Sequence, residues 1–187
     1  AKQFSETFAD CVSLKSIPEG LLAACPDITT VKGMFHGCTA LEVIPDGLFK
    51  NNVAITSFET TFAECTKLKS IPENLFSSIG TKTSAVTFSQ CFAECASLES
   101  IPAGLFDTVR RINYIDGCFE NCRTLKGESP YTIITAEDGT QTKVHLYERT
   151  KGTDFPYAPT SSSAHAGCFA GCIKLSDYKD MPDTWKN

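Results

Sequence analysis

The sequence predicts a repeat protein of the α/β class, a solenoid in which short parallel strands alternate with short helical turns. The phrase Phe-x-x-Cys-x-x-Leu occurs six times, starting at Phe8, Phe35, Phe62, Phe92, Phe119 and Phe169. The cysteines of these copies are 27, 27, 30, 27 and 50 residues apart, and four copies continue into Ile-Pro. A fixed period of this length is typical of units that bury their apolar faces only by stacking on neighbours.

The spacing within one copy predicts its local structure. Phe58, Phe62 and Cys65 follow the i, i+4, i+7 pattern that places side chains on one face of a short helix. Residues 66–71 are then a strand candidate. Strands that recur once per coil pair in parallel, about 4.8 Å apart, so six coils predict a continuous parallel sheet.

A proline follows the strand candidate in the four complete copies. Proline fits a turn or the first position of a helical turn, where its missing N–H costs little. The prolines are Pro18, Pro45, Pro72 and Pro102. Each unit is therefore expected to contain a strand, a corner, a helical turn, a loop and a second helical turn.

An insertion at residues 129–163 separates the fifth and sixth copies. Its segment YTIITAEDGTQTKVHLYERT contains two β-branched and aromatic runs on either side of Asp138-Gly139, which predicts a β-hairpin. Two interpretations remain open: an end cap that protects a sheet edge, or an arm that contacts a ligand. Residues 178–185 are expected to cap the C-terminal end.

The repeat resembles the leucine-rich repeats of BspA-like surface proteins of the Bacteroidetes type, and the related repeats of mycoplasma surface lipoproteins. The resemblance covers about residues 4–128 and 164–185. It implies a right-handed leucine-rich-repeat solenoid that acts at a bacterial cell surface, with a role in adhesion. Residues 1–187 are then one domain, with repeats at about 1–128 and 164–185. Because the chain begins inside a repeat, we expect it to be a fragment of a longer protein.

The composition narrows the function classes. Hydrophobic residues make up 42% and charged residues 21% of the chain, as in ordinary globular proteins. The net charge of −5 argues against nucleic acid as a partner, since phosphate binding favours a basic face. Neither a signal peptide nor an apolar run long enough to span a membrane is present in the sequence. An extracellular or cell-surface location is therefore expected from the resemblance alone.

Ten cysteines raise three possibilities. The repeated cysteine column favours a ladder of reduced thiols in the core, where cysteine behaves as a small hydrophobic residue. Disulfides between adjacent coils are the main alternative, and export to an oxidising compartment would favour them. A metal site is disfavoured, because the first position of Cys-Phe-x-x-Cys holds threonine or methionine in other copies.

The residue after the repeated leucine alternates in charge along the chain. This column contains Lys15, Glu42, Lys69, Glu99 and Lys126, followed by Ser176. On parallel strands these side chains would be neighbours and would pair as a ladder of opposite charges. The pattern thus predicts that reversing Glu42 and Glu99 lowers stability.

No enzyme motif occurs, and the histidines at 36, 145 and 165 lie in no nucleophile or metal pattern. We therefore predict a monomeric, non-catalytic surface module without cofactors that binds a protein or a glycan. A spacer that displays other domains is the alternative, and an accessory to a carbohydrate-active enzyme is a weaker one. The aromatic residues outside the repeat columns are the candidate contacts: Tyr114, Tyr131, Tyr147, Tyr157 and Trp185.

Overall fold

The computed structural model describes residues 2–80, 84–149 and 161–187. Its strands are β1 (Val86–Thr87), β2 (Ile112–Tyr114), β3 (Tyr131–Thr135) and β4 (Gln141–His145). Its α-helices are α1 (Ser162–His165) and α2 (Asp183–Lys186), and 3₁₀ turns occupy Leu146–Glu148 and Tyr178–Asp180. Strands β1 and β2 form a parallel pair, and β3 and β4 form a separate antiparallel pair.

The expected fold class, a six-coil leucine-rich-repeat solenoid with a continuous parallel sheet, is wrong. Regular secondary structure in the described residues is limited to two four-residue α-helices, two 3₁₀ turns and four strands in two separate two-stranded sheets. Turns and irregular backbone make up the rest of the repeats. Successive copies of the repeat contact one another through columns of side chains and through rows of backbone hydrogen bonds, such as those from Phe8 to Met34 and from Asp10 to His36.

The expected helical turn around each phenylalanine is instead a chain of tight turns. Around Phe35, the N–H of Met34 donates to Val31 at 3.0 Å, and the N–H of Cys38 donates to Phe35 at 3.2 Å. Gly33 and Gly37 have φ angles of 59° and 68°. A left-handed residue at every fourth position interrupts a right-handed helix after each turn. The i, i+4, i+7 spacing therefore reflects these turns and not a helix.

The expected strand at residues 66–71 is also absent. At this column the N–H of Glu42 donates to Lys15 at 3.0 Å, and the N–H of Glu99 donates to Lys69 at 3.0 Å. The Ile-Pro step follows closely, and proline has no N–H to continue a ladder. The expected strand column has the isolated parallel bridges Ser16 to Val43 and Gly127 to Leu175. The longer run of parallel bridges lies before the first five phenylalanines and joins Gln3, Thr30, Ser57, Thr87 and Tyr114 in turn.

The core is built around a column of stacked phenylalanine rings. Phe62 lies between Phe35, at a centroid distance of 5.5 Å, and Phe92, at 5.4 Å, with interplanar angles of 7° and 8°. The same near-parallel arrangement joins Phe8 to Phe35, and Phe119 to Phe169, at 5.5 Å. Such ring pairs stabilise each contact beyond simple burial of apolar area.

The cysteine column lies beside the rings, and its cysteines are free. Eight of the ten cysteines are buried, while Cys11 is exposed and Cys25 is half-buried. Five of the buried thiols donate to the carbonyl of the phenylalanine one copy earlier, as Cys38 does to Phe8 at 3.1 Å; they belong to Cys38, Cys65, Cys95, Cys122 and Cys172. This arrangement favours the core-thiol interpretation over disulfides between copies.

The charge column does not form the expected ladder. No ion pair among the described residues joins two of Lys15, Glu42, Lys69, Glu99 and Lys126. Backbone hydrogen bonds hold Glu42 next to Lys15 and Glu99 next to Lys69, but Glu42 and Glu99 are exposed, so solvent and salt screen any attraction between these side chains. Reversing these charges is therefore expected to have little effect on stability.

The C-terminal cap expected at residues 178–185 is confirmed. Trp185 is 4% exposed, and its ring lies 6.1 Å from that of Phe169 at the end of the phenylalanine column. The N–H of Phe169 donates to the carbonyl of Trp185 at 2.8 Å, and Gly167 donates to Thr184 at 2.9 Å. Helix α2 thus takes the place that a further repeat would occupy.

Candidate binding surface

The hairpin formed by β3 and β4 lies at the inserted segment. Its register pairs Tyr131 with His145 and Ile133 with Lys143. Asp138 accepts a hydrogen bond from the N–H of Thr140 at 2.9 Å, which fixes the turn. The alternation of a β-strand places these four paired side chains on one face. We call Tyr131, Ile133, Lys143 and His145 the hairpin face.

The opposite face of the hairpin is fastened to the fourth repeat. Arg149 is 7% exposed, and its guanidinium donates to the hydroxyl of Thr132 at 2.7 Å and to the carbonyl of Phe106 at 3.3 Å. Thr132 in turn hydrogen-bonds the Asp107 carboxylate. Burial lowers the pKa of Arg149 to about 10, with Asp107 opposing the shift, so the guanidinium stays charged at neutral pH. Charge-assisted bonds of this kind hold the hairpin in place.

The hairpin face combines aromatic, aliphatic and charged groups. The ammonium of Lys143 lies 4.4 Å from the centre of the Tyr131 ring and 2.7 Å from Glu128. The bond from Lys143 lowers the pKa of Glu128, and that same bond raises the pKa of Lys143. Ile133 lies beside them, with 45% of its surface exposed. An exposed branched side chain next to a fixed cation offers both apolar and ionic contact to a partner.

His145 connects the hairpin face to the last repeat. Its ring stacks on Tyr147 at 5.1 Å and meets Tyr131 edge-on at 5.8 Å. Its Nδ1 atom lies 3.1 Å from Glu148, and its Nε2 atom lies 3.7 Å from Asp177. The imidazole is therefore enclosed by two tyrosines and by carboxylates from two directions.

Asp177 fixes the last repeat against the start of the insertion. Its carboxylate accepts the N–H of Ser129 at 3.1 Å and the Ser129 hydroxyl at 2.5 Å. Both residues are buried. Buried groups that satisfy each other in this way define one geometry, because either one left alone costs about 1–3 kcal/mol.

Tyr147 contributes more to packing than to the open surface. It is partly buried against the core. Burial raises its pKa to about 12, and the carboxylate of Asp177 is the next cause. Tyr147 is therefore a neutral support for His145 at physiological pH.

The five candidate residues from the sequence do not form one site. Tyr131 and Tyr147 are brought together around His145, and Tyr114 is 44% exposed on β2. Trp185 is wrong as a contact residue, because it is buried in the cap between Phe169 and His165. Tyr157 lies outside the described residues.

The surface also contains residues that the sequence did not single out: Ile133, Lys143, His145, Glu128 and Asp177. The alternation in the two hairpin runs places Ile133 and Lys143 on the same face as Tyr131, and this signal was available. Nothing in the sequence indicated that Asp177, 48 residues after Ser129, returns to the hairpin base.

In the described residues, no group of three His, Cys, Asp or Glu side chains is arranged to hold a metal ion. The α-helices in the described ranges have four residues each, and none there is a candidate for spanning a bilayer. The hairpin face consists of aromatic, aliphatic and charged side chains.

Comparisons with known proteins give no family. No family model matches the sequence, and no curated protein matches it. Among solved structures, the crystal structure of a TLR13–ssRNA13 complex aligns with the chain at 12% sequence identity and a TM-score of 0.15. The alignment covers 62% of this chain and 28% of that one. A similarity this weak carries no argument about fold or function.

Proposed function

We propose that the chain is a non-catalytic binding or adhesion module that recognises a protein or a glycan through the hairpin face. The strongest support is that the two sides of the hairpin have different surroundings. On one side, hydrogen bonds of Arg149 to Thr132 and to the carbonyl of Phe106 attach the hairpin to the fourth repeat. The other side presents Ile133 and Lys143 to solvent.

The chemistry of the hairpin face suits recognition. Protein interfaces are enriched in aromatic residues, and tyrosine provides a large contact area with little loss of side-chain entropy. Lys143 is already held in place by Glu128 and Tyr131. A partner that binds there need not order a flexible lysine, which reduces the entropy cost of binding.

A cell-surface location is part of the proposal. Its support is the resemblance of the Phe-x-x-Cys-x-x-Leu repeat to that of BspA-like surface proteins. The cell-surface setting makes host proteins and glycans the first ligands to test.

A spacer function is the second candidate. Its support is that the repeated phenylalanines, cysteines and leucines are buried in the core from the second copy onward. A chain whose repeated side chains serve packing alone can display other domains without any ligand of its own.

The test is a glycan array and an extracellular-matrix protein array probed with the purified chain and three variants. Ile133→Ser and Lys143→Gln alter the hairpin face, and Val43→Ser alters a side chain of the second repeat that is 57% exposed. We expect at least one ligand, a tenfold or greater loss of affinity in the two hairpin variants, and unchanged affinity in Val43→Ser. An equal loss of affinity in all three variants would contradict binding through the hairpin face. An absence of binding on both arrays would favour the spacer function.

A further inference from the structure

The hydrogen bonds at the two ends of the hairpin fix the phase of its ladder. Near the turn, the N–H of Ala136 donates to the carbonyl of Thr140 at 2.8 Å. At the base, the N–H of Leu146 donates to the carbonyl of Pro130 at 2.8 Å. In an antiparallel ladder, alternate residue pairs exchange hydrogen bonds, and the residues between them point their backbone groups outward. Every second residue of β4 therefore directs its N–H and C=O groups away from β3.

Two residues of β4 carry these outward groups along its length, Gln141 and Lys143. Both are exposed, and within the described ranges no hydrogen bond joins their outward N–H and C=O groups to another residue. The other edge of the hairpin begins against the fourth repeat, because the N–H of Tyr131 donates to the carbonyl of Ala103 at 2.9 Å. The edge of β4 is therefore the more open of the two.

The edge of β4 lacks the features that commonly keep a free edge from pairing. Edge strands are often protected by a proline, by a bulge or by a lysine at the edge. β4 contains no proline, and its register with β3 is continuous over five residue pairs. Lys143 leans across the hairpin, with its ammonium 4.4 Å from the centre of the Tyr131 ring and 2.7 Å from Glu128. The lysine therefore leaves the edge accessible.

The aromatic rings at the hairpin are engaged within the molecule. Lys143 lies over the ring of Tyr131, and His145 stacks on the ring of Tyr147 at 5.1 Å. Tyr147 is also partly buried against the core. A sugar ring packs its C–H groups on a free aromatic face, whereas a polypeptide can bind through backbone hydrogen bonds alone. These contacts favour a polypeptide over a glycan as the partner.

Building on the proposed function, we propose that the partner is a polypeptide whose extended segment pairs with β4 and enlarges the hairpin to three strands. An extended main chain presents an N–H and a C=O at every second residue, which matches the spacing of Gln141 and Lys143. The residues of the partner that face these two groups cannot be proline, which has no N–H to donate. The partner side chain opposite Lys143 lies on the hairpin face, beside the ion pair of Lys143 with Glu128.

The test separates main-chain from side-chain recognition at one residue. Gln141→Pro removes the outward N–H, which takes no part in the bonds between β3 and β4. Gln141→Ala keeps that N–H and removes only the side chain, so it is the matched control. Random peptides displayed on phage are selected on the purified chain, and calorimetry gives the affinity of a selected peptide for the chain and both variants. Amide hydrogen exchange at Thr142 and Val144 reports whether the hairpin remains folded.

We expect a selected peptide to slow amide exchange at Gln141 and Lys143. Its affinity should fall roughly tenfold in Gln141→Pro and change little in Gln141→Ala. An equal loss in both variants would show recognition of the side chain and would overturn the pairing with β4. If Gln141→Pro unfolds the hairpin, the exchange at Gln141 and Lys143 in the peptide complex of the original chain decides the question, and unchanged exchange there overturns the pairing.

Three other results would overturn the proposal. One is a failure to select any peptide. Another is slow exchange at Gln141 and Lys143 in the chain alone at every concentration, which would show that its own residues cover the edge. Slow exchange that appears only as the protein concentration rises would identify a second copy as the occupant.

The proposed function is tested separately by Ile133→Ser on the hairpin face. A ligand from the arrays that Ile133→Ser weakens and Gln141→Pro does not would keep the hairpin face as the binding site and overturn the pairing with β4. A ligand that neither variant weakens would overturn both.

Discussion

The thiol of Cys65 lies 3.3 Å from the carbonyl oxygen of Phe35, thirty residues earlier in the chain. That oxygen also accepts the N–H of Cys38 at 3.2 Å. The thiol therefore occupies the second lone pair of a carbonyl that is buried beside the ring column. The same relationship joins Cys95 to Phe62 at 3.2 Å and Cys122 to Phe92 at 3.1 Å. The cysteines thus act as donors between copies as well as filling space.

Removing one buried thiol should destabilise the fold. Cys65→Ala leaves a small cavity and an acceptor with one partner fewer, and we expect a loss of about 1–3 kcal/mol in the free energy of unfolding. Cys11→Ala, in the same column but exposed, should cost less than about 0.5 kcal/mol. Urea denaturation of both variants under reducing conditions measures the difference. Equal losses would contradict a role for the thiol in the core.

The ring column gives a second comparison. Phe62 has ring neighbours on both sides and is fully buried, so Phe62→Ala should cost about 3–5 kcal/mol. Phe8 has one ring neighbour and is partly buried, so Phe8→Ala should cost roughly half as much or less. Thermal unfolding followed by circular dichroism ranks the two variants. A larger effect at Phe8 would be inconsistent with the stack.

Sequence spacing identified the columns but not the backbone that carries them. Residues at a fixed offset share one environment in every copy, so Phe62 and Cys65 could be placed in the core without knowing the local conformation. The i, i+4, i+7 spacing is shared by a helix and by a chain of turns, and it does not distinguish them. The glycines four residues apart at Gly33 and Gly37 were the available sign of left-handed backbone.

The candidate surface, like the columns, was predictable from the sequence only in part. Asp138-Gly139 located the hairpin turn, and Tyr131 lies on the first strand of that hairpin, at the end away from the turn. Trp185 was misassigned because an aromatic residue outside the repeat columns can still close the end of a core. The contact of Asp177 with Ser129 depends on how the last repeat returns after the insertion, which local sequence does not encode.

The left-handed positions predict a stabilising substitution. Thr60 has a φ of 52°, which is unfavourable for a β-branched residue, and the equivalent positions in other copies hold Gly33 and Gly117. Thr60→Gly should therefore raise the free energy of unfolding by up to about 1 kcal/mol. Gly33→Ala should lower it, because the new Cβ would lie 3.0 Å from Glu6 at a φ of 59°. Matching denaturation midpoints for the two variants would exclude this backbone strain.

Alkaline pH should destabilise the protein. Burial raises the pKa of Cys91 and Cys118 well above the ordinary value of 9.0, so the unfolded chain loses these protons at a lower pH than the folded chain. The stability that these thiols provide is full below about pH 9 and is lost as the pH rises further. Urea midpoints measured between pH 7 and 11 under reducing conditions should fall above pH 9. A constant midpoint over this range would contradict the burial of the thiols.

Tyr147 provides an internal control for the alkaline effect. Its pKa is raised from 10.0 to about 12, so its contribution is lost only as the pH rises from 10 through 12. Tyr147→Phe removes this titration while keeping the stack on His145. The variant should follow the original chain up to about pH 10 and decline less steeply above it.

The stacked phenylalanine and cysteine columns are the scaffold to which the hairpin is attached, and a count of free thiols tests that scaffold most directly. The chain is purified without reductant and titrated with a thiol reagent, first folded and then in denaturant. We expect Cys11 to react at once, Cys25 more slowly, and the eight buried thiols only on unfolding, to a total of ten. A total of eight or fewer in denaturant would show that disulfides join the copies and would contradict the thiol–carbonyl column.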